Sequence, residues 1–302
     1  MNRLPRWLVV ALAIGPALGL AVFYAWPFVT LVAEAVTAQA ISDTLGRSST
    51  WEVVWFTAWQ AVVSTVLTAA VGLAPAYVLA RYDFRGRTVL VGLLTAMFVL
   101  PTVVMGAAFL ALLPHTLERT VWAVLGAHVV FNLAVVVRVI GSLWEHLPTD
   151  MEAAAATLGA SRWKVVTQIS LPLVRPAVTA AATIVFLFTF TSYGVIRILG
   201  APGTRTIEVE VWRRATQLGD IGGAAVLALL QLLALVAIVG WSTVAQRRHA
   251  RAIGLLASSG RRHTRTTGER RFVGLTAIAT LLVAGAPLVA LVLRSFSTPT
   301  GW

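Results

Sequence analysis

Apolar residues in this chain gather in long blocks rather than in the alternating or three-to-four spacing of half-buried elements. Each block is close to the ~20 residues a helix needs to cross a bilayer. Blocks at about 8–33, 53–80, 88–113, 121–143, 177–199, 222–245 and 272–293 predict seven spanning helices. The second contains Pro75 near one end, where a kink is tolerated if neighbouring groups satisfy the freed carbonyl. Most connections between blocks are short. The stretch 144–176 is the exception, and a connection of that length usually has a task.

That stretch has a pattern of its own. Leu147-Pro148-Thr149-Asp150 supplies helix-start chemistry, Met151 to Leu158 is alanine-rich, and Gly159 stands where a helix stop favours positive φ. Ser161 is placed to cap a second short helix over Arg162 to Ile169, with Trp163, Val166 and Ile169 on one face and Pro172 expected to end it. The pattern is helix, turn, helix, stop. By physics alone it suits either a hairpin resting on the membrane surface or an element gripped by another protein.

Composition supports the membrane assignment: 58% of the 302 residues are apolar and 12% charged, where a soluble chain carries roughly a quarter. The net charge of +12 raises nucleic acid as a partner, so the placement of the charges must decide. With a cytoplasmic N-terminus, the inner segments hold Arg3 and Arg6; Arg81, Arg85 and Arg87; Arg138, Arg162, Lys164 and Arg175; and the arginine-rich run from Arg247 to Arg271. The outer loops hold Arg47, Arg119, Arg205, Arg213 and Arg214, with Arg197 and Arg294 near outer span ends. This asymmetry predicts orientation by the positive-inside rule, and the basic run then faces anionic lipid rather than a polynucleotide. The apolar N-terminal run reads as an uncleaved first span rather than a signal peptide. With no cysteine in the chain, disulfides and thiolate metal sites are excluded.

The order Glu152-Ala153-Ala154, Gly159, Ile169-x-Leu171-Pro172 resembles the EAA loop of permeases from binding-protein-dependent ABC importers. That loop reads E-A-A, three residues, G, nine residues, I-x-L-P. Spacing agrees from Gly159 through Pro172, whereas Glu152 lies one position too early, so Ala153 occupies the strict glutamate position. The stretch Phe188 to Gly194, the segment Thr206 to Trp212 and the run Leu227 to Leu235 with Gln231 resemble the thiamine and ferric-iron permease group, closest to the thiamine branch.

The resemblance implies an all-α polytopic fold: a six-helix permease unit over 1–245 with a cytoplasmic coupling loop at 144–176, a basic linker at 246–271, and the first helix of a second unit in 272–302. It implies a bacterial inner-membrane subunit that is no enzyme itself. Its partners would be a cytoplasmic ABC ATPase dimer, which carries the ATP and Mg, an extracytoplasmic solute-binding protein, and a second permease half or copy. Glu152, Ala153, Ala154, Gly159, Ile169, Leu171 and Pro172 would contact the ATPase. Thiamine or a related compound is the first expectation for the solute, ferric iron the second. Ser192, Tyr193 and Arg197 are candidate pathway residues, although Arg197 also suits snorkelling to headgroups.

The chain has no G-x-x-x-x-G-K-[ST] loop to cradle ATP phosphates, so hydrolysis is expected on a partner. An ion-coupled carrier would place carboxylates within spans, but the 12 acidic residues fall in loops or near span ends. A membrane enzyme would need a cluster at one depth, whereas His115, His128, His146, His249 and His263 are scattered. His128 with Asn132, and likewise Gln60 and Gln231, read as interhelical hydrogen-bonding groups.

Pro27, Val29, Leu31 and Val32 recur in spacing as Pro287, Val289, Leu291 and Val292. This suggests that the seventh helix repeats the first, and that the chain stops inside a second unit.

Overall fold

The computed structural model describes residues 6–147, 154–155, 157–249 and 261–297. Pro148 to Ala153, most of the basic segment from Ala250 to Gly260, and the end from Thr298 to Trp302 lie outside the described residues. Among those described the fold is all-α, with one isolated bridge between Tyr82 and Arg262.

In chain order the helices are α1 (Arg6–Leu20), α2 (Trp26–Ala35), α3 (Ala38–Leu45), α4 (Ser48–Arg81), α5 (Arg87–Val99), α6 (Thr102–Leu112) and α7 (Val121–Glu145). They continue with α8 (Arg162–Val165), α9 (Leu171–Phe190), α10 (Gly194–Leu199), α11 (Ile207–Arg213), α12 (Ile221–His249) and α13 (Thr267–Ser297). Six described helical runs are long and apolar enough to cross a membrane, or seven if the bent pair α5 and α6 is one span.

Two expected spans differ from the simple rods that hydropathy predicts. The block 88–113 is broken at Leu100-Pro101, and α5 and α6 meet at 112°. Pro101 has no N–H to give the helix, and it pushes Leu100 into extended backbone at φ −63°, ψ 139°. The block 177–199 begins earlier than expected and its helix stops at Phe190; Thr191 to Tyr193 are irregular before α10 resumes.

Pro172 also fails to end a helix. A π turn at Val166–Ser170 links α8 to α9, with the Leu171 N–H bonded to the Val166 carbonyl, and the helix runs on through Pro172 and Pro176. The wide turn shifts the bonding register just ahead of Pro172, where a donor is missing anyway. The same device at Ala21–Ala25 precedes Pro27.

The chain forms two compact units. The first comprises Met1–Glu52 and Glu210–Leu233. Its α1–α2 run buries none of its apolar residues, as a helix facing hydrocarbon or another chain does. Charge holds its other part together. Arg214, 3% exposed, donates to Glu210 at 3.1 Å and pairs with Asp220 at 3.5 Å, and its guanidinium also reaches Thr44 and Thr50 at 3.5 and 3.4 Å. Arg213 forms two bonds to the same carboxylate at 2.8 and 2.7 Å, which hold its pKa above the ordinary value. Arg214 was expected as an outer-loop charge, and it is buried because these partners surround it.

The second unit comprises Val53–Val209 and Ala234–Trp302. Its main core lies among α4 to α7 and α10, around Leu90, Met97, Met105, Leu133 and Leu199. A second cluster joins α4, α7 and α9 around Ala76, Ile140, Trp144, Val174 and Val185. Helix α13 packs along α5 and α6, where Arg294 donates to the Leu110 carbonyl at 2.9 Å. Arg81, expected in a loop, is buried and donates to the Leu147 carbonyl at 3.2 Å.

Candidate functional site: an open turn and a braced break

Two interruptions of helix in the second unit carry the candidate chemistry. The first is the turn at Gly159. Ala154, Ala155 and Thr157 are helical, and Gly159 has φ +82°. Ala160 N–H bonds back to the Ala155 carbonyl at 3.0 Å, which is the six-to-one closure of a Schellman stop. A side chain at Gly159 would meet nothing within 4 Å, so glycine is required here by backbone conformation and not by crowding.

Beyond the turn, Ser161 Oγ accepts from Lys164 N–H at 3.4 Å and starts α8, as its sequence position predicted. Leu158, next to the glycine, is 88% exposed. Ala154 and Pro172 are exposed, and Ile169 and Leu171 half-buried. Glu152 and Ala153 lie outside the described residues, so the early position of the glutamate has no geometry here.

The second interruption, Thr191 to Tyr193, is braced by the rest of the unit, with Ser192 buried and Thr191 and Tyr193 half-buried. Gln60 Nε2 on α4 donates to the Thr189 carbonyl at 2.9 Å, and Thr206 Oγ1 donates to the Ser192 carbonyl at 3.1 Å. The Thr189 carbonyl also accepts from the Ser192 N–H at 3.3 Å, so side-chain donors and local backbone together satisfy the irregular segment, as a span requires. His128 on α7 lies between two hydroxyls, with Nδ1 3.1 Å from Ser64 Oγ and Nε2 2.8 Å from Ser192 Oγ. An imidazole carrying one ring proton donates to one hydroxyl and accepts from the other. Thr57 Oγ1 accepts from the Ile207 N–H at 2.9 Å and ties α11 to α4.

Three elements are therefore joined through one histidine: α4, α7 and the end of α9. Asn132 donates to the His128 carbonyl at 2.9 Å within α7. The buried oxygens Gln60 Oε1 and Asn132 Oδ1 have no hydrogen-bond partner. Gln60 and His128 act as interhelical bonding groups, as their sequence positions suggested, whereas Asn132 donates within its own helix.

Past the break, α10 lies against α6 without slack. A Cβ on Gly194 would come within 2.4 Å of Thr102 Oγ1 and 2.7 Å of the Val103 nitrogen, and a Cβ on Gly106 would come within 2.8 Å of Ile198. Of the candidate pathway residues, Ser192 is buried in the brace, Tyr193 is half-buried and Arg197 is exposed on α10. Ser64, His128, Thr189 and Thr206 belong to the same network, and sequence gave no sign that they meet.

Comparison with known proteins gives these two interruptions a context. Residues 71–251, more than half of the chain, match the family model for the binding-protein-dependent transport system inner membrane component. The chain belongs to this family of ABC importer permeases and is a multi-pass membrane protein.

Among its relatives is the thiamine transport system permease protein ThiP of Salmonella typhimurium, 30% identical over 278 residues, which cover 83% of this chain and 50% of that protein. ThiP of Escherichia coli is 29% identical over 206 residues, covering 63% and 38% respectively. The sulfate transport system permease protein CysT of Escherichia coli is 28% identical over 211 residues, covering 65% and 76%. The chain spans about half the length of the first of these relatives, and less of the second. These relatives are transport permeases, not enzymes. The fold matches a bacterial ABC transporter involved in alginate import with a TM-score of 0.70 at 14% identity, covering 80% of this chain and 96% of that one.

Proposed function

We propose that the chain is the membrane-spanning permease of an ATP-driven importer. It passes a small solute from an extracytoplasmic binding protein into the cytoplasm, and a separate ATPase dimer holds the ATP and Mg and carries out hydrolysis. The observation that carries this reading is the turn at Gly159: a short helix stopped by left-handed backbone, with an apolar side chain, Leu158, offered to solvent beside it.

An exposed leucine next to a tight turn suits a groove on another protein. In this reading residues 152–172 are gripped by the ATPase, and closure of the ATPase pair moves α9 through the continuous helical run from α8. The N-terminus is cytoplasmic, in accord with the basic segments that would then lie inside. Residues 1–245 form one permease unit and 246–271 a linker, and α13 opens a second unit that, or whose equivalent, completes the pathway. The recurrence of Pro27 to Val32 in Pro287 to Val292 supports this division.

Thiamine or a related compound is the solute this reading favours, because two of the relatives are thiamine permeases. Ser192, Tyr193 and Arg197 lie at the broken span where a pathway would be controlled.

The test is ATPase stimulation in proteoliposomes containing the chain, the candidate ATPase and the binding protein, with and without thiamine. Stimulation by thiamine-loaded binding protein that is lost in Gly159→Leu supports both coupling and solute. Hydrolysis indifferent to Gly159→Leu rejects the coupling role. Coupling that ignores thiamine rejects only the solute and moves ferric iron forward.

A further inference from the structure

A cavity of about 530 Å³ lies in the second unit, within the range that holds one small ligand. Tyr77 and Tyr82, Trp144, Thr167, Leu171 and Phe272 contribute to its walls, from α4, α7, the π turn, α9 and α13. The lining is mainly apolar, and a cavity of that kind takes an apolar occupant more readily than water. It lies at the span ends that carry Arg81, Glu145 and Thr267, the level at which tyrosine and tryptophan mark a membrane interface.

Its polar features select the occupant. Glu269, the one carboxylate on the wall, already accepts from the Arg265 and Thr266 N–H groups at 2.7 and 3.3 Å and lies 3.8 Å from Arg262. Its charge is therefore answered within the chain. The aromatic rings do not form an open cage for a cation: Tyr77 meets Trp144 and Tyr82 edge-on at 5.2 and 6.0 Å, and the Arg262 guanidinium already covers the Tyr82 ring at 5.0 Å.

Arg262 is half-exposed and fixed in place. Its N–H bonds the Arg81 carbonyl at 3.0 Å, its carbonyl accepts from Asp83 N–H at 3.0 Å, and its side chain donates to Tyr82 Oη at 3.0 Å. Arg261, Arg265, Arg270 and Arg271 lie within nine residues of it along the chain. The cavity thus combines an apolar interior with a basic approach.

We propose that it holds one acyl chain of an anionic phospholipid from the inner leaflet, with the headgroup against Arg262. The bound lipid would brace the π turn against α13. The assignment to the inner leaflet rests on the proposed orientation, and Thr167 and Leu171 also belong to the segment proposed to meet the ATPase; lipid retention is read without the ATPase, so its failure is distinguishable from failure of the coupling role.

The test is lipid retention by the purified full chain in mild detergent, read by native mass spectrometry after adding phosphatidylglycerol or phosphatidylcholine at equal concentration. One phosphatidylglycerol should be retained with about a five-fold preference, the ratio that ~1 kcal/mol per arginine corresponds to. Gly268→Phe should abolish retention of both lipids, because Gly268 lines the cavity and a Cβ there meets nothing within 4 Å. Ala74→Leu, at another wall position, repeats the test should the first variant fold poorly. Arg262→Gln should keep the lipid but lose the preference. Equal retention of the two lipids by the unaltered chain, or retention unchanged in both filled variants, would overturn the proposal.

Discussion

The turn at Gly159 and the break at Thr191 to Tyr193 interrupt helix in the same stretch of chain, and they are handled in opposite ways. At Gly159 the backbone closes on itself, the surrounding space is empty and Leu158 is left in solvent. At the second break the freed carbonyls are taken up by Gln60 and Thr206, and His128 joins Ser64 to Ser192. The first interruption is satisfied locally and presents surface to another molecule. The second adds to its local backbone bonds partners from distant parts of the chain, so its movement is tied to theirs.

The contrast can be broken most severely at Gly194. Gly194→Val must displace Thr102 and Val103, and overpacking of this kind costs about 1–3 kcal/mol or more. A large fall in thermal unfolding temperature in detergent is the expected result. Next comes His128→Ala, which leaves the Ser64 and Ser192 hydroxyls without their shared partner. Interhelical bonds in membranes are worth ~0.6–2 kcal/mol each, so a loss of about 1–3 kcal/mol is expected. A double-mutant cycle with Ser192→Ala should show that most of this loss is coupled.

Gly159→Leu should behave differently. Its φ of +82° makes any side chain strained, at about 1–2 kcal/mol locally, yet no contact is lost. Global unfolding should change little while stimulated hydrolysis falls, a split that the Gly194 and His128 variants should not show. Ser161→Ala is the smallest change: loss of one long cap, about 0.5–1 kcal/mol, visible as faster hydrogen exchange in α8 and little else.

The same contrast explains what could be read from sequence. Gly159 and Ser161 were legible because a positive-φ stop and an N-cap are local signals carried by a few adjacent residues. The break at Leu100-Pro101 had its signal in Pro101, but block hydropathy ignores a single proline when the residues on both sides are apolar. Thr191 to Tyr193 was not legible as braced, because Ser64 and His128, and again His128 and Ser192, lie 64 positions apart along the chain and one sequence holds no information about pairing. Arg214 lies in the connection between spans as expected, but its burial was not legible although Glu210, four residues earlier, was in view; i,i+4 spacing does not say whether a pair is buried. Pro172 was taken as a stop because proline usually is one, and only the π turn ahead of it shows how the helix continues.

The central claim is that the Gly159 turn faces a partner while the second break faces only its own chain. Because the chain has no cysteine, Leu158→Cys and Ser192→Cys each introduce a unique thiol, and the claim can be tested by labelling in membrane vesicles with a small maleimide. Leu158→Cys should label rapidly in the chain alone and be protected when the ATPase is bound, and Ser192→Cys should label slowly in both cases. Leu158→Cys that labels equally fast with the ATPase bound, or Ser192→Cys that labels as fast as Leu158→Cys in the chain alone, would contradict it.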